Sequence, residues 1–226
     1  MQTSPWSRGL LATAAFCACA SARAAGGHFS VDDASLLEAG ECEQETWVSH
    51  FQRGAQLLHA GVNCRMGPIE FDGAGESTRS DGVSSTQWNL EAKWAHDLDA
   101  SWSIGLDAQP FWSVQQDPHY VGTRSYAILT WKPQEHLLVN ANAGRDWLRR
   151  ARDPARGGLS FEWQAFGPWT LVGERYLDTG THYARLGTHW SGGHGWSVDA
   201  SYAQHLAGPA RSFWSLGLTI PLDDRR

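Results

Sequence analysis

Between Gln87 and Trp94 every even-numbered residue is apolar (Trp88, Leu90, Ala92, Trp94) and every odd-numbered one is polar or charged (Gln87, Asn89, Glu91, Lys93). Side chains alternate across a strand, so such a segment makes sheet with one greasy and one wet face. The same period returns in the segments that open at Ile69, Trp102, Leu137, Leu159, Trp196 and Trp214. A helical reading fails because charges interrupt every 3.6-residue stripe. Less regular runs at about 124–133, 168–178 and 181–191 fill the gaps, giving ten strands from residue 68 onward. A further hairpin at about 42–52 and 56–65, turning near Arg53, makes twelve and sets Cys42 opposite Cys64, where a cross-strand disulfide fits. The alternative is ten strands preceded by a disulfide-bonded periplasmic hairpin.

The first 24 residues carry a basic start (Arg8), a short apolar run (Gly9 to Ala20) and a small-x-small site (Ala22-Arg23-Ala24), the pattern of a cleaved secretory signal. The apolar run is too short to span a bilayer, and no later stretch approaches the roughly 18 uncharged residues a spanning helix needs. Cys17 and Cys19 sit inside the signal without a proper lipidation box. In an exported chain the remaining Cys42 and Cys64 are expected to bond to each other as a structural staple. Cleavage removes Arg8 and Arg23 and no acid, leaving 16 basic against 24 acidic residues, which argues against nucleic acid as a partner.

Alternation does not say which face points outward. A soluble barrel hides its apolar face, whereas a membrane barrel shows it to lipid. Three features favour the membrane. The polar face carries Glu91, Lys93, Asp107, Asp146, Glu162 and Asp199, together with Glu70, Asp72 and Glu76, among small Ser and Gly, as a wet lumen would. Of the chain's 13 tryptophans, Trp88, Trp94, Trp102, Trp112, Trp163, Trp196 and Trp214 fall toward strand ends of the apolar face, where an interfacial aromatic girdle would lie. Twelve strands also exceed the eight that a soluble ligand-binding barrel uses. The expected fold is therefore all-β: an antiparallel transmembrane β-barrel over 42–226, with residues 25–41 as an N-terminal periplasmic segment. Connections expected to be long at 77–85, 114–123 and 149–157 alternate with short ones at 98–100, 134–135 and 166–167, which assigns outer loops and periplasmic turns respectively.

The run from Phe29 to Trp47, with Asp32, Asp33 and Cys42, followed by Cys64 and Gly67-Pro68-Ile69-Glu70, resembles the start of small, poorly characterised proteobacterial outer-membrane barrel proteins described as transporter-like. The resemblance covers about 29–72 and implies an outer-membrane location, with no catalytic residue to carry over. The chain departs from the usual barrel ending: it closes on Asp223-Asp224-Arg225-Arg226 rather than on an aromatic residue.

Signals for chemistry are weak. His182, His189, His194 and His205 fall near Ser191, Ser197, Ser201 and Asp199 without a tight hydrolase motif, and ordinary lumen and loop roles are expected of them. His189 and His194 flank a Gly-Gly turn with no third ligand at metal spacing. No cofactor motif appears. The basic run Arg149 to Arg156 would suit lipopolysaccharide phosphates on an outer loop. The expected function is an outer-membrane channel or transporter for a small solute or cation through an acidic lumen. Its selectivity would fall to Glu91, Lys93, Asp107, Glu162 and Asp199, with Lys93 as the one clear lumen base and Arg185 joining it if Leu186 and Trp190 face outward. A closed structural barrel and a lipid-modifying enzyme are the alternatives. Expected partners are outer-membrane lipid, lipopolysaccharide and the barrel-assembly machinery.

Overall fold

The computed structural model describes residues 27–222. Twelve strands follow one another: β1 (Cys42–Phe51), β2 (Gln56–Met66), β3 (Ile69–Ser80), β4 (Val83–Asp97), β5 (Trp102–Ser113), β6 (Tyr120–Gln134), β7 (Leu137–Leu148), β8 (Ala155–Phe166), β9 (Trp169–Asp178), β10 (Thr181–Ser191), β11 (Ser197–Ala207) and β12 (Phe213–Pro221). Each pairs antiparallel with its sequence neighbours, and β12 returns to β1 with Glu43 opposite Pro221 and Phe51 opposite Phe213. Closure leaves no edge whose backbone groups would face an apolar surround unpaired. That requirement decides between twelve strands and ten. The residues Gln44, Thr46, Val48 and His50 make a poor greasy face, yet β1 completes the ladder for both β2 and β12. The expected disulfide is present: Cys42 and Cys64 are bonded register partners with Cα atoms 4.1 Å apart. Their hairpin turns at Arg53-Gly54, both at positive φ.

The two faces are inverted relative to a soluble barrel. Leu90, Leu106, Leu159 and Leu186 point outward and are 51%, 57%, 60% and 71% exposed, while Asn140 and Asp199 point inward and are 0% and 1% exposed. Water would not tolerate such an outside in a stable monomer, and lipid requires it. Tryptophans bound this apolar face at two levels. Trp88 stacks on Trp112 toward one end, and Trp102 on Trp131 toward the other. Ten residues of tilted strand separate Trp102 from Trp112, about 26 Å along the barrel axis, close to the height of an outer-membrane apolar band. Trp163 and Trp214 are exposed on the same face. Trp94 stands on the outer face opposite Leu106, and Trp196 sits on the rim against Trp190.

The connections correct the expected alternation in length. Segment 77–85 is a turn of two residues, 81–82, and the longer loops shrink to 114–119 and 149–154. Ser84, Ser85 and Thr86 look like loop by polarity but pair with Arg79, Thr78 and Ser77. Asp81 and Gly82 both take positive φ, the requirement of a tight I′ hairpin turn whose twist matches its strands. Polar composition there marks strand ends standing clear of the apolar band. Among the described residues the one helical piece is a 3-10 turn, Gly193–Gly195. The segment 1–24, expected to be a secretory signal, and the ending Asp223 to Arg226 lie outside the described residues.

Candidate functional site

Residues 27–37, expected outside the barrel, run around the inside of its wall as a hoop. His28 lies against Gly217 of β12, Phe29 against Gly187 of β10, Val31 against Gly158 of β8, and Ala34 against Gly105 of β5. Inward glycines therefore form a track. A Cβ on Gly158 would stand 2.8 Å from Val31 Cγ2, and one on Gly187 would stand 2.9 Å from Phe29 Cε1. A strand segment with larger inward residues would leave the hoop no seat.

An extended segment with no sheet partner must satisfy its backbone groups elsewhere, and lumen side chains do this. Glu174 Oε1 accepts the N–H groups of Ser30 and Val31 at 2.9 and 2.7 Å. Thr130 Oγ1 accepts that of Ala34 at 2.8 Å, and Glu70 that of Leu37 at 2.7 Å. Arg185 donates to the His28 carbonyl and pairs with Glu174 at 3.2 Å. The Asn142 amide, oriented for bonding, serves both the N–H and the C=O of Asp32. Across the lumen the Asp32 carboxylate meets Lys93 Nζ at 2.7 Å, with Asp33 at 3.8 Å. The hoop is thus tied to β3, β4, β6, β7, β9 and β10. Burial, helped by the Arg185 guanidinium and His189, pushes the His28 pKa down to about 3, so its ring is neutral where Nε2 meets Ser201 Oγ at 2.7 Å.

Inside the hoop a cavity of about 1390 Å³ extends from Gly167, Pro168 and Gly192, at the end where β1 begins and β12 finishes, to Thr179, Pro209 and Ala210 at the other. Its charge is divided. Glu43 and Glu45 of β1, Glu70 and Asp72 of β3, Glu91 of β4 and Asp107 of β5 line one side. Arg124 of β6, Arg156 of β8 and Arg185 of β10 line the other. Strand register places Glu43, Asn63, Asp72, Glu91, Gln109 and Arg124 in one row across six strands. A chain of hydrogen bonds runs along its end: Gln109 donates to Glu91 at 2.9 Å and accepts from Arg124 at 2.7 Å. An aromatic cluster of Tyr176, Tyr183 and Phe213, with Phe51 against it, fills the lumen near β9–β12.

The residues expected to shape selectivity divide into two groups. Glu91, Lys93 and Asp107 line the cavity. Asp146, Glu162 and Asp199 point inward but are 3%, 4% and 1% exposed and are engaged by Arg156, Asn140 and His189. Lys93 is not alone as a lumen base: Arg124, Arg156 and Arg185 join it. Arg156, which the sequence groups with the basic loop, lies in β8 between Asp146 and Asp178. Arg185 takes the place expected of it if Leu186 faces outward, as Leu186 does, whereas irregular alternation in β6 and β8 hid Arg124 and Arg156, because bulges and inward glycines break the two-residue period. The glycine track is the signal that would have revealed the hoop.

The scattered Ser and His residues do not assemble into one nucleophilic site. Ser201 bonds His28, Asp199 bonds His189 at 2.7 Å, and His205 meets the Gly208 carbonyl at 2.9 Å. Ser201 and Asp199 lie behind the hoop, away from the cavity lining. Among the described residues no group of three or more metal-ligating side chains converges.

A closed barrel with an apolar outside, a charged inside and a cavity between its ends defines the porin-like class. The chain belongs to the family described as "Uncharacterised conserved protein UCP029691", whose model matches residues 13–222. No curated protein matches it in sequence. In structure it is similar to the KdgM porin, with TM-score 0.66 and 8% identity over 78% of this chain and 97% of that one. It is also similar to a TodX deltaS2S3 mutant monoaromatic hydrocarbon channel (0.52, 7%, 82% and 90%) and to outer membrane phospholipase A from Escherichia coli (0.50, 11%, 83% and 98%). At these identities the likeness is one of fold.

Proposed function

We propose that the protein is an outer-membrane channel that passes small cations through the cavity left by its hoop, without catalysing a reaction. The observation that carries this reading is the contiguous carboxylate wall on β1–β5, with Glu43, Glu45, Asp72, Glu91 and Asp107 on the cavity surface. Carboxylates along a narrow, low-dielectric path raise the local cation concentration and repel anions. The opposing bases are largely committed: Arg156 to two aspartates, Arg185 to Glu174, and Lys93 to the hoop. An export signal, a disulfide and an apolar belt between tryptophan levels support placement in the outer membrane, reached through the barrel-assembly machinery. There the loop 149–154, with Arg149, Arg150 and Arg152, would meet lipopolysaccharide phosphates.

Reconstituted into liposomes, the protein should admit a small labelled cation such as methylammonium faster than acetate. Equal rates, or faster acetate entry, would refute the cation assignment. The second reading, a closed barrel, draws on the aromatic cluster and the hoop, which together fill one side of the lumen. Exclusion of both solutes by folded protein would favour it.

A further inference from the structure

We infer that the acidic side of the cavity holds a seat for an amphiphilic organic ammonium ion, its head on β3 and β4 and its apolar tail directed across β2 toward Trp47 and Phe51. This rests on the cation-passing reading and deepens it by naming a substrate class.

The seat follows from three neighbouring rows of the sheet. The middle row reads Glu45, Gly61, Ala74 and Asn89 on β1 to β4. Its two central residues are small, so the larger side chains around them form its rim. One flanking row brings Asp72 and Glu91, the other Trp47, His59 and Glu76. Asp72 Oδ2 and His59 Nε2 both approach the point where a Gly61 Cβ would stand, at 2.9 and 3.2 Å.

Two acceptors on this wall lack a donor. Asn89 lines the cavity, is only 5% exposed, and its Oδ1 has no hydrogen-bond partner; Asp72 Oδ2 has none either. A buried acceptor without a donor is costly, and both flank Glu91, Asn89 two residues away on the same face of β4 and Asp72 as its register partner on β3. The missing chemistry is a positively charged group with several N–H donors. A divalent metal fits poorly, because it needs several donors at one point, and no such group converges among the described residues. Here the acceptors are spread across neighbouring strands about 4.8 Å apart, a spacing that three N–H groups of one ammonium can share.

The tail has its own surface. Trp47 lines the cavity, held flat on His59 at 3.4 Å and 8°, and His59 is fixed by Glu76 at 3.2 Å. An immobilised indole face next to a cation seat favours organic ammonium over a bare ion. Farther along the same two strands Leu57 and Phe51 line the cavity, continuing the apolar path.

The test is calorimetric titration of the detergent-folded protein with 2-phenylethylammonium chloride. Ammonium chloride supplies the head alone and 2-phenylethanol the tail alone. Saturable 1:1 binding is expected for the amine, with weaker binding for both controls. Asn89→Leu should weaken it about tenfold through loss of a charge-assisted hydrogen bond. Asn89→Asp should tighten it, and this opposite sign separates a lost contact from a damaged fold. Heats equal to those of phenylethanol, or identical in both Asn89 variants and the parent, would overturn the inference. Methylammonium flux without phenylethylammonium binding would overturn it while leaving the channel reading intact, and binding without flux would do the reverse.

Discussion

Replacing Glu174 with alanine should release the first half of the hoop. Its carboxylate accepts two backbone N–H groups, from Ser30 and Val31, and pairs with Arg185, which itself holds the His28 carbonyl. Each hydrogen bond to a charged group contributes about 1.5–3 kcal/mol, so the two together contribute roughly 3–6 kcal/mol of docking. The substitution also strands Arg185, 3% exposed, without its counter-charge, a situation that costs about 3–5 kcal/mol where no water can enter. Water in the lumen relieves part of this. A loss of about 3–5 kcal/mol in hoop docking remains, equivalent to a hundredfold to several-thousandfold more opening. Hydrogen exchange of the amides of residues 29–37 reads that opening directly. Exchange should accelerate by at least about a hundredfold in Glu174→Ala, and much less in Glu174→Gln, which keeps one acceptor oxygen. Amides of β5 and β6 should be unaffected. Unchanged protection at Ser30 and Val31 would refute the idea that lumen side chains hold the hoop.

Gly158→Ala should destabilise the barrel by about 1–3 kcal/mol through overpacking, since the new Cβ meets the Arg175 carbonyl at 2.7 Å as well as Val31; denaturant midpoints measure it. Glu91→Gln should reduce cation preference while Glu162→Gln leaves it unchanged, because only Glu91 lines the cavity; equal effects in bilayer recordings would contradict this. The folded pKa of His28 is depressed, so the stability held by its neutral ring is present above about pH 6.5 and is lost as pH falls toward 3. At pH 5 that loss is about 2 kcal/mol, visible as faster exchange at residues 27–31, and His28→Gln should abolish this pH dependence.

The twelve-strand barrel was legible because lipid and lumen force opposite chemistry onto alternate residues, and β4, β5 and β12 obey that rule almost without exception. The disulfide followed from the same register. Strand ends beyond the apolar band lose this constraint, so Ser84 to Thr86 looked like loop. The hoop was hidden for a different reason: residues 27–37 have no period of their own, and what fixes them is distributed over β3 to β12. Gly105, Gly158, Gly187 and Gly217 look in sequence like any small residue of a polar face, yet they leave room for Ala34, Val31, Phe29 and His28. Arg124 and Arg156 were obscured likewise, each in a strand whose alternation is interrupted, whereas Arg185 was legible once Leu186 is taken to face outward.

Cation passage through the hoop-lined cavity is tested most directly by the reversal potential of the folded protein in a planar bilayer under a potassium chloride gradient. A current reversing toward the potassium equilibrium potential, and shifting toward zero in Glu91→Gln, is the expected result. Reversal toward the chloride potential, or silence from protein shown to be folded, would contradict it.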